Sequence, residues 1–167
     1  MEFLEKDLEQ IIWETDNELL QDREFWICGK KHRQLKIGNY GIADIVTFNR
    51  MYDVYRKPFL EVTIYELKKE KISMSSFLQA VRYTKGIQEY FAHRGLFEEK
   101  VFFNIVLCGK SIDTASDFIF LADLMHNATD YIIPNSINSL RFYTYKYNFN
   151  GIMFEEIGSY RLKNNGF

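Results

Sequence analysis

Two extended runs carry the residues that could do chemistry. Asp44 interrupts the apolar run Ile42-Ala43-Asp44-Ile45-Val46-Thr47-Phe48, and a later run ends in Glu66-Leu67-Lys68. Side chains alternate across a strand, so Leu60, Val62, Ile64, Glu66 and Lys68 share one face, and Asp44 lies with Ile42, Val46 and Phe48. Each carboxylate therefore continues an apolar row, where an isolated buried charge costs on the order of several kcal/mol. If the two strands are neighbours, the compensation is Lys68 or a divalent cation held by both acids. Hard oxygen ligands favour Mg²⁺ or Mn²⁺ over zinc. The same pattern also fits a plain Glu–Lys or Asp–Lys bridge at a sheet edge with no catalytic role.

Other chemistries find less support. His32, His93 and His126 are far apart and show neither metal-ligand spacing nor the makings of a His-based triad. No G-x-x-x-x-G-K-[ST] or G-x-G-x-x-G occurs, which removes the common nucleotide-phosphate cradles. Cys28 and Cys108 both lie in apolar runs, so neither a disulfide framework nor a Cys-rich zinc site is expected, and a reducing cytoplasm fits. With 21 Lys and Arg against 23 Asp and Glu the net charge is −2, which excludes a globally basic surface. Any nucleic-acid contact must come from a local patch. The densest basic stretch is Lys30-Lys31-His32-Arg33 with Lys36, and Lys68, Lys69, Lys71, Arg82 and Lys85 surround the acids. The N-terminus is charged and no run approaches the roughly 18 apolar residues of a membrane span, so a cytoplasmic protein with no membrane partner is expected.

The elements that must position these groups can be read from periodicity. At 167 residues and 47% apolar content, one domain over 1–167 with a full core is expected. Leu4, Leu8, Ile11 and Ile12 form the stripe of an amphipathic helix over about 3–14. Phe25 to Cys28 and Arg33 to Ile37 read as extended, and Gly38-Asn39-Tyr40-Gly41 as a tight turn into a strand over 42–48. A strand over 59–69 and a helix over 75–93 follow. Val101 to Cys108, apolar throughout, suits the middle of a mixed sheet. A third helix over 114–125, with Thr114 as a possible N-cap, precedes a terminal hairpin around Asn150-Gly151. Tyr143, Tyr145, Tyr147 and Phe149 share one face of that hairpin, a ladder better suited to packing than to stacking bases. The order makes an α/β or α+β layered domain, a mixed central sheet flanked by helices.

At this point a resemblance can be named. Asp44 after a turn, followed by Glu66-Leu67-Lys68 on the next strand, resembles the PD-(D/E)XK nuclease superfamily, whose restriction endonuclease-like core has the order αβββαβ. The segment Arg33-Gln34-Leu35-Lys36-Ile37-Gly38-Asn39-Tyr40-Gly41-Ile42-Ala43-Asp44 is similar to the Arg-Gln and Gly-x-x-Asp hairpin of one branch. Ala43 stands where the motif has Pro. The likeness covers about 3–109, leaving about 110–167 as an accessory helix and hairpin. It implies a further metal ligand on the first helix, for which Glu5-Lys6-Asp7-Leu8 with Ile12 fits better than Glu9. Gln79-Ala80-Val81-Arg82-Tyr83 is similar to the Gln-x-x-x-Tyr motif that follows the acid-x-Lys strand in several branches. Gln79 and Tyr83 stack one helical turn apart, and Gly86 and Tyr90 extend the stripe.

What the resemblance implies is hydrolysis of DNA phosphodiester bonds with Mg²⁺ or Mn²⁺ as cofactor. Asp44, Glu66, Glu5 and the backbone carbonyl of Leu67 would hold the metal. Lys68 would bind the attacking water and the developing phosphate charge, and Gln79 would orient Lys68 or the phosphate. Arg33, Gln34, Lys36, Arg82 and Tyr83 are the expected contacts to DNA. The chain has no room for a separate recognition module, so specificity is expected from a homodimer or a partner protein. The alternative is an inactive nuclease fold used for nucleic-acid binding or assembly.

Overall fold

A computed structural model describes residues 3–95, 100–121 and 134–157. The chain begins with α1 (Glu5–Glu14) and α2 (Asn17–Asp22), then runs through β1 (Lys30–Lys36), a 3-10 turn (Gly38–Tyr40), β2 (Ile42–Tyr52) and β3 (Pro58–Leu67). A two-residue β4 (Lys71–Ile72) leads to α3 (Met74–His93), then β5 (Lys100–Gly109), β6 (Ser111–Ile112), β7 (Ile137–Asn148) and β8 (Gly151–Glu156). Six strands form one mixed sheet in the order β1-β2-β3-β5-β7-β8. The three strands β3, β5 and β7 are mutually parallel, and the outer pairings β1–β2, β2–β3 and β7–β8 are antiparallel. This is a mixed α/β sheet flanked by helices.

Two apolar layers cover the sheet. Val46, Val62 and Ile64 face α3, where Phe77, Ala80, Tyr83 and Ile87 pack on them. Ile45, Tyr65 and Leu67 face the other way, onto Leu8 and Ile12 of α1 and the aromatic cluster around Phe25. The period-2 alternation of β2 and β3 is thus shared between two cores, each fully buried side chain contributing about 1.5–3 kcal/mol. Strand β5 sits between parallel neighbours and is buried from Val101 to Gly109, which explains its unbroken apolar run. Tyr143 and Tyr145 of the aromatic ladder are buried in the α1-side core, and Tyr147 stacks on Phe3.

Several local expectations are corrected. Residues 25–28 lie outside any strand, and Phe25 and Ile27 instead plug the α1-side core. Helix α2 forms in a stretch with too few apolar residues to show a period; only Leu20 is buried. The terminal turn falls at Phe149-Asn150, because Asn148 pairs with Gly151 and the Asn148 side chain caps the Asn150 N–H at 2.9 Å. Gly151, at φ 98°, supplies the left-handed residue after that turn. Asp113, not Thr114, accepts the Ala115 backbone N–H and the Ser116 hydroxyl, and helical structure starts at residue 118; its extension to 125 lies outside the described residues.

Two features matter for the site. Gly86 lets α3 lie against the 3-10 turn, since a Cβ there would stand 2.5 Å from Ile37 Cγ2 and 2.7 Å from Tyr40 Cδ2. At the far end of the β2–β3 hairpin, Asp53 Oδ1 accepts the N–H groups of Tyr55 and Lys57 at 2.9 and 2.8 Å, fixing the turn. Among the described residues no helix is long and apolar enough to cross a membrane.

Candidate active site

The pairing of β2 with β3 ends at Ile45 opposite Tyr65, while β3 and β5 stay paired as far as Leu67 opposite Cys108. The strands therefore fork just where Asp44 and Glu66 would be the next opposed pair. Glu66 follows Ile64, which packs on the α3 side; on β2 Ala43 and Val46 both pack on the α3 side and Ile45 on the other, so the strict alternation is interrupted at Asp44. The Asp44 carboxylate takes over the role of a ladder carbonyl: its Oδ2 accepts the Leu67 N–H at 2.9 Å. The next N–H, of Lys68, goes to the Cys108 carbonyl at 2.8 Å, and the one after, of Lys69, to Glu5 Oε2 at 3.1 Å. The Tyr145 hydroxyl donates to the Lys69 carbonyl at 2.7 Å. Residues 67–69 are pinned from β2, β5, α1 and β7 together.

Lys68 returns over the fork. Its Nζ lies 2.6 Å from Glu66 Oε1 and 3.5 Å from Gln79 Oε1, and Gln79 Nε2 in turn donates to the Tyr83 hydroxyl at 2.8 Å. Glu66 is 1% exposed, and its second oxygen, Oε2, is buried without a hydrogen-bond partner. Burial, with the Asp44 charge adding to it, pushes the Glu66 carboxyl up to about 7 against the pull of Lys68. Burial likewise pushes Asp44 up to about 6, opposed by the Leu67 N–H and Lys68 and reinforced by the charges of Glu5 and Glu9. Lys68 experiences the reverse balance: burial lowers its ammonium, but the hydrogen bond and charge of Glu66 outweigh that and the net shift is upward.

The structure thus brings Asp44, Glu66, Leu67, Lys68, Gln79 and Glu5 together. Glu9 does something else. It is 6% exposed, and its two oxygens accept from Arg33 Nε and Gln34 Nε2. Alternation would put Arg33 and Gln34 on opposite faces of β1; Gln34 adopts a left-handed backbone, φ 49°, and both reach the same carboxylate. That conformation costs a non-glycine residue about 1–3 kcal/mol. Arg33 and Gln34 accordingly fasten β1 to α1. Sequence reasoning missed this anchor, although Glu9 borders the apolar stripe on the Ile12 side of the helical wheel and a buried acid needs a cation. Lys36 and Arg82 are exposed, Arg82 with its guanidinium 5.7 Å from the Tyr83 ring centroid. Tyr83 is 2% exposed and packs closely on Gly41, whose absent Cβ would meet its ring at 2.9 Å.

Whether these residues fit a divalent cation can be judged from charge and unused valence. Glu5, Asp44 and Glu66 face one ammonium, which leaves an uncompensated negative charge, and Glu66 Oε2 has no partner of its own. All the donors are hard oxygens. Among the described residues no three His, Cys, Asp or Glu side chains are already gathered around one point as ion ligands. The fit therefore rests on the fork's oxygens and charge. Burial pushes both the Cys28 and Cys108 thiols above their ordinary value, so neither is an activated nucleophile. Compared with protein-family models, curated proteins and solved structures, the chain matches none.

Proposed function

We propose that the fork between β2 and β3 is the hydrolytic centre of a metal-dependent nuclease of the PD-(D/E)XK type, acting on DNA in defence, repair or mobile-element processing. The observation that carries this reading is the buried Glu66 carboxylate, joined to Lys68 through one oxygen and left with the other unpartnered beside Asp44. Asp44, Glu66, the Leu67 carbonyl and Glu5 are the groups that would hold Mg²⁺ or Mn²⁺. Such an ion supplies Lewis acidity and makes water more acidic. Lys68 Nζ, held by Glu66 and Gln79, donates hydrogen bonds to the attacking water and to the charge growing on the phosphate. Gln79 keeps that ammonium aimed, and Tyr83 keeps Gln79 aimed. Arg82 and Lys36 offer phosphate contacts on either side.

The test is cleavage of supercoiled plasmid and of short single and double strands with Mg²⁺ or Mn²⁺. Asp44→Asn and Lys68→Met are expected to lower the rate by roughly a hundredfold or more. Asparagine still offers an oxygen to the Leu67 N–H, so the fork remains closed. Equal activity in all three proteins overturns the reading; DNA bound but never cut favours an inactive fold used for binding.

A further inference from the structure

A cavity of about 530 Å³ opens between the C-terminal half of α3 and the β1–β2 edge, away from Asp44 and Glu66 and with Glu89 in its lining. Its volume falls within the roughly 300–1,000 Å³ usual for ligand clefts. Phe48, Tyr40, Tyr90 and Phe91 line it, with Lys36 at its wall. Two of these rings are held by neighbours. The Tyr40 hydroxyl donates to Glu89 at 2.5 Å, and the Phe48 ring is met edge-on by His32 at 5.3 Å. Tyr90 is 55% exposed with the Arg94 guanidinium 5.4 Å from its centroid, which places a second cation beside the mouth.

Two elements run from the fork to the cavity. On α3, Gln79 and Tyr83 stand at the fork, and Gly86 and Tyr90 of the same stripe line the cavity. On β2, Asp44 and Phe48 stand four residues apart, roughly 13 Å at about 3.3 Å per residue. That separation spans roughly two to four nucleotides of strand, depending on its extension. Flat aromatic walls with cations nearby suit a base that stacks while its flanking phosphates meet Lys36 and Arg94.

We propose that this cavity receives one unpaired nucleobase of the substrate strand, a few nucleotides from the scissile phosphate, with the Tyr90 ring as a stacking wall. The proposal rests on the nuclease reading for the identity of its ligand. It makes the substrate a strand that is single or locally opened at that position.

The experiment measures anisotropy of a short fluorescein-labelled DNA single strand with EDTA present, so that nothing is cut. A set of strands, each lacking one base, is compared with the intact strand. Wild-type protein is expected to lose about tenfold in affinity at one abasic position. Tyr90→Ala is expected to bind the intact strand about tenfold more weakly and to be indifferent to that same abasic position, whereas Tyr90→Phe retains wild-type behaviour. No binding, no sensitive position, an unchanged Tyr90→Ala, or losses that multiply instead of merging each overturn the proposal. The plasmid assay separates the two ideas. Cleavage with no Tyr90 effect leaves the nuclease and removes the base pocket; a Tyr90-dependent base contact without cleavage does the reverse.

Discussion

Lys68 and Glu66 form a buried ion pair whose loss has a structural cost apart from any reaction. Replacing Lys68 by Met leaves a carboxylate that is 1% exposed with no cation. Breaking a buried pair costs about 3–5 kcal/mol, and with the Lys68 side chain 25% exposed the loss expected at pH 8 is near the lower end, about 3 kcal/mol. Glu66, already pushed up to about 7, can escape by taking a proton. The loss should therefore shrink at pH 5, which urea denaturation of both proteins at the two pH values measures; equal losses would contradict it. At this scale much of the cluster was legible beforehand. Strand parity puts Asp44 and Glu66 on one face, and helical spacing puts Gln79 beside Tyr83. The roles of Glu9, Arg33 and Gln34 were not legible, because the left-handed backbone of Gln34 breaks the alternation on which parity depends. The assignment of Glu5 rested on resemblance alone, since its bond to Lys69 joins positions 64 residues apart.

Helix α3 links the fork to the cavity, and its seat is set by a missing side chain. Gly86→Ala would place a methyl 2.5 Å from Ile37 Cγ2 and 2.7 Å from Tyr40 Cδ2, backing onto the turn before β2. Overpacking of this kind costs about 1–3 kcal/mol. Thermal unfolding of Gly86→Ala should show that loss, and the displaced Tyr40 should also weaken strand binding; a variant as stable as wild type would mean that the turn yields freely. Elements with long, regular patterns were legible: α1, α3, β3 and β5 sit within a few residues of their expected places. Those decided by a few contacts were not. Helix α2 buries only Leu20, and the terminal turn moved by one residue because the Asn148 side chain caps it.

Across the molecule the net charge is only −2, yet Glu5, Asp44 and Glu66 feel one another's charge at the fork, and this makes stability depend on pH. Asp44 and Glu66 are raised in the folded state from 3.8 and 4.5 to about 6 and about 7. The folded protein thus holds protons that the unfolded chain releases. The stabilisation is complete below about pH 4 and is lost as pH climbs through 6 and 7. Under the proposed function, a divalent cation would need the ionised acids and would reverse that trend. At about a hundred times its Kd, Mn²⁺ should raise Tm by roughly 5–10 °C at pH 8, much less at pH 5, and not at all in Asp44→Asn, as scanning fluorimetry can measure. The hairpin turn clamped by Asp53 has a bearing on the acid pair although it lies roughly 30 Å along β2 from Asp44. It sets which residue of β3 meets which residue of β2. A turn one residue longer or shorter, without a compensating bulge, would slide the strands by a single step and send the two acids to opposite sides of the sheet. The length of a remote surface loop is therefore a condition for Asp44 and Glu66 to meet at all.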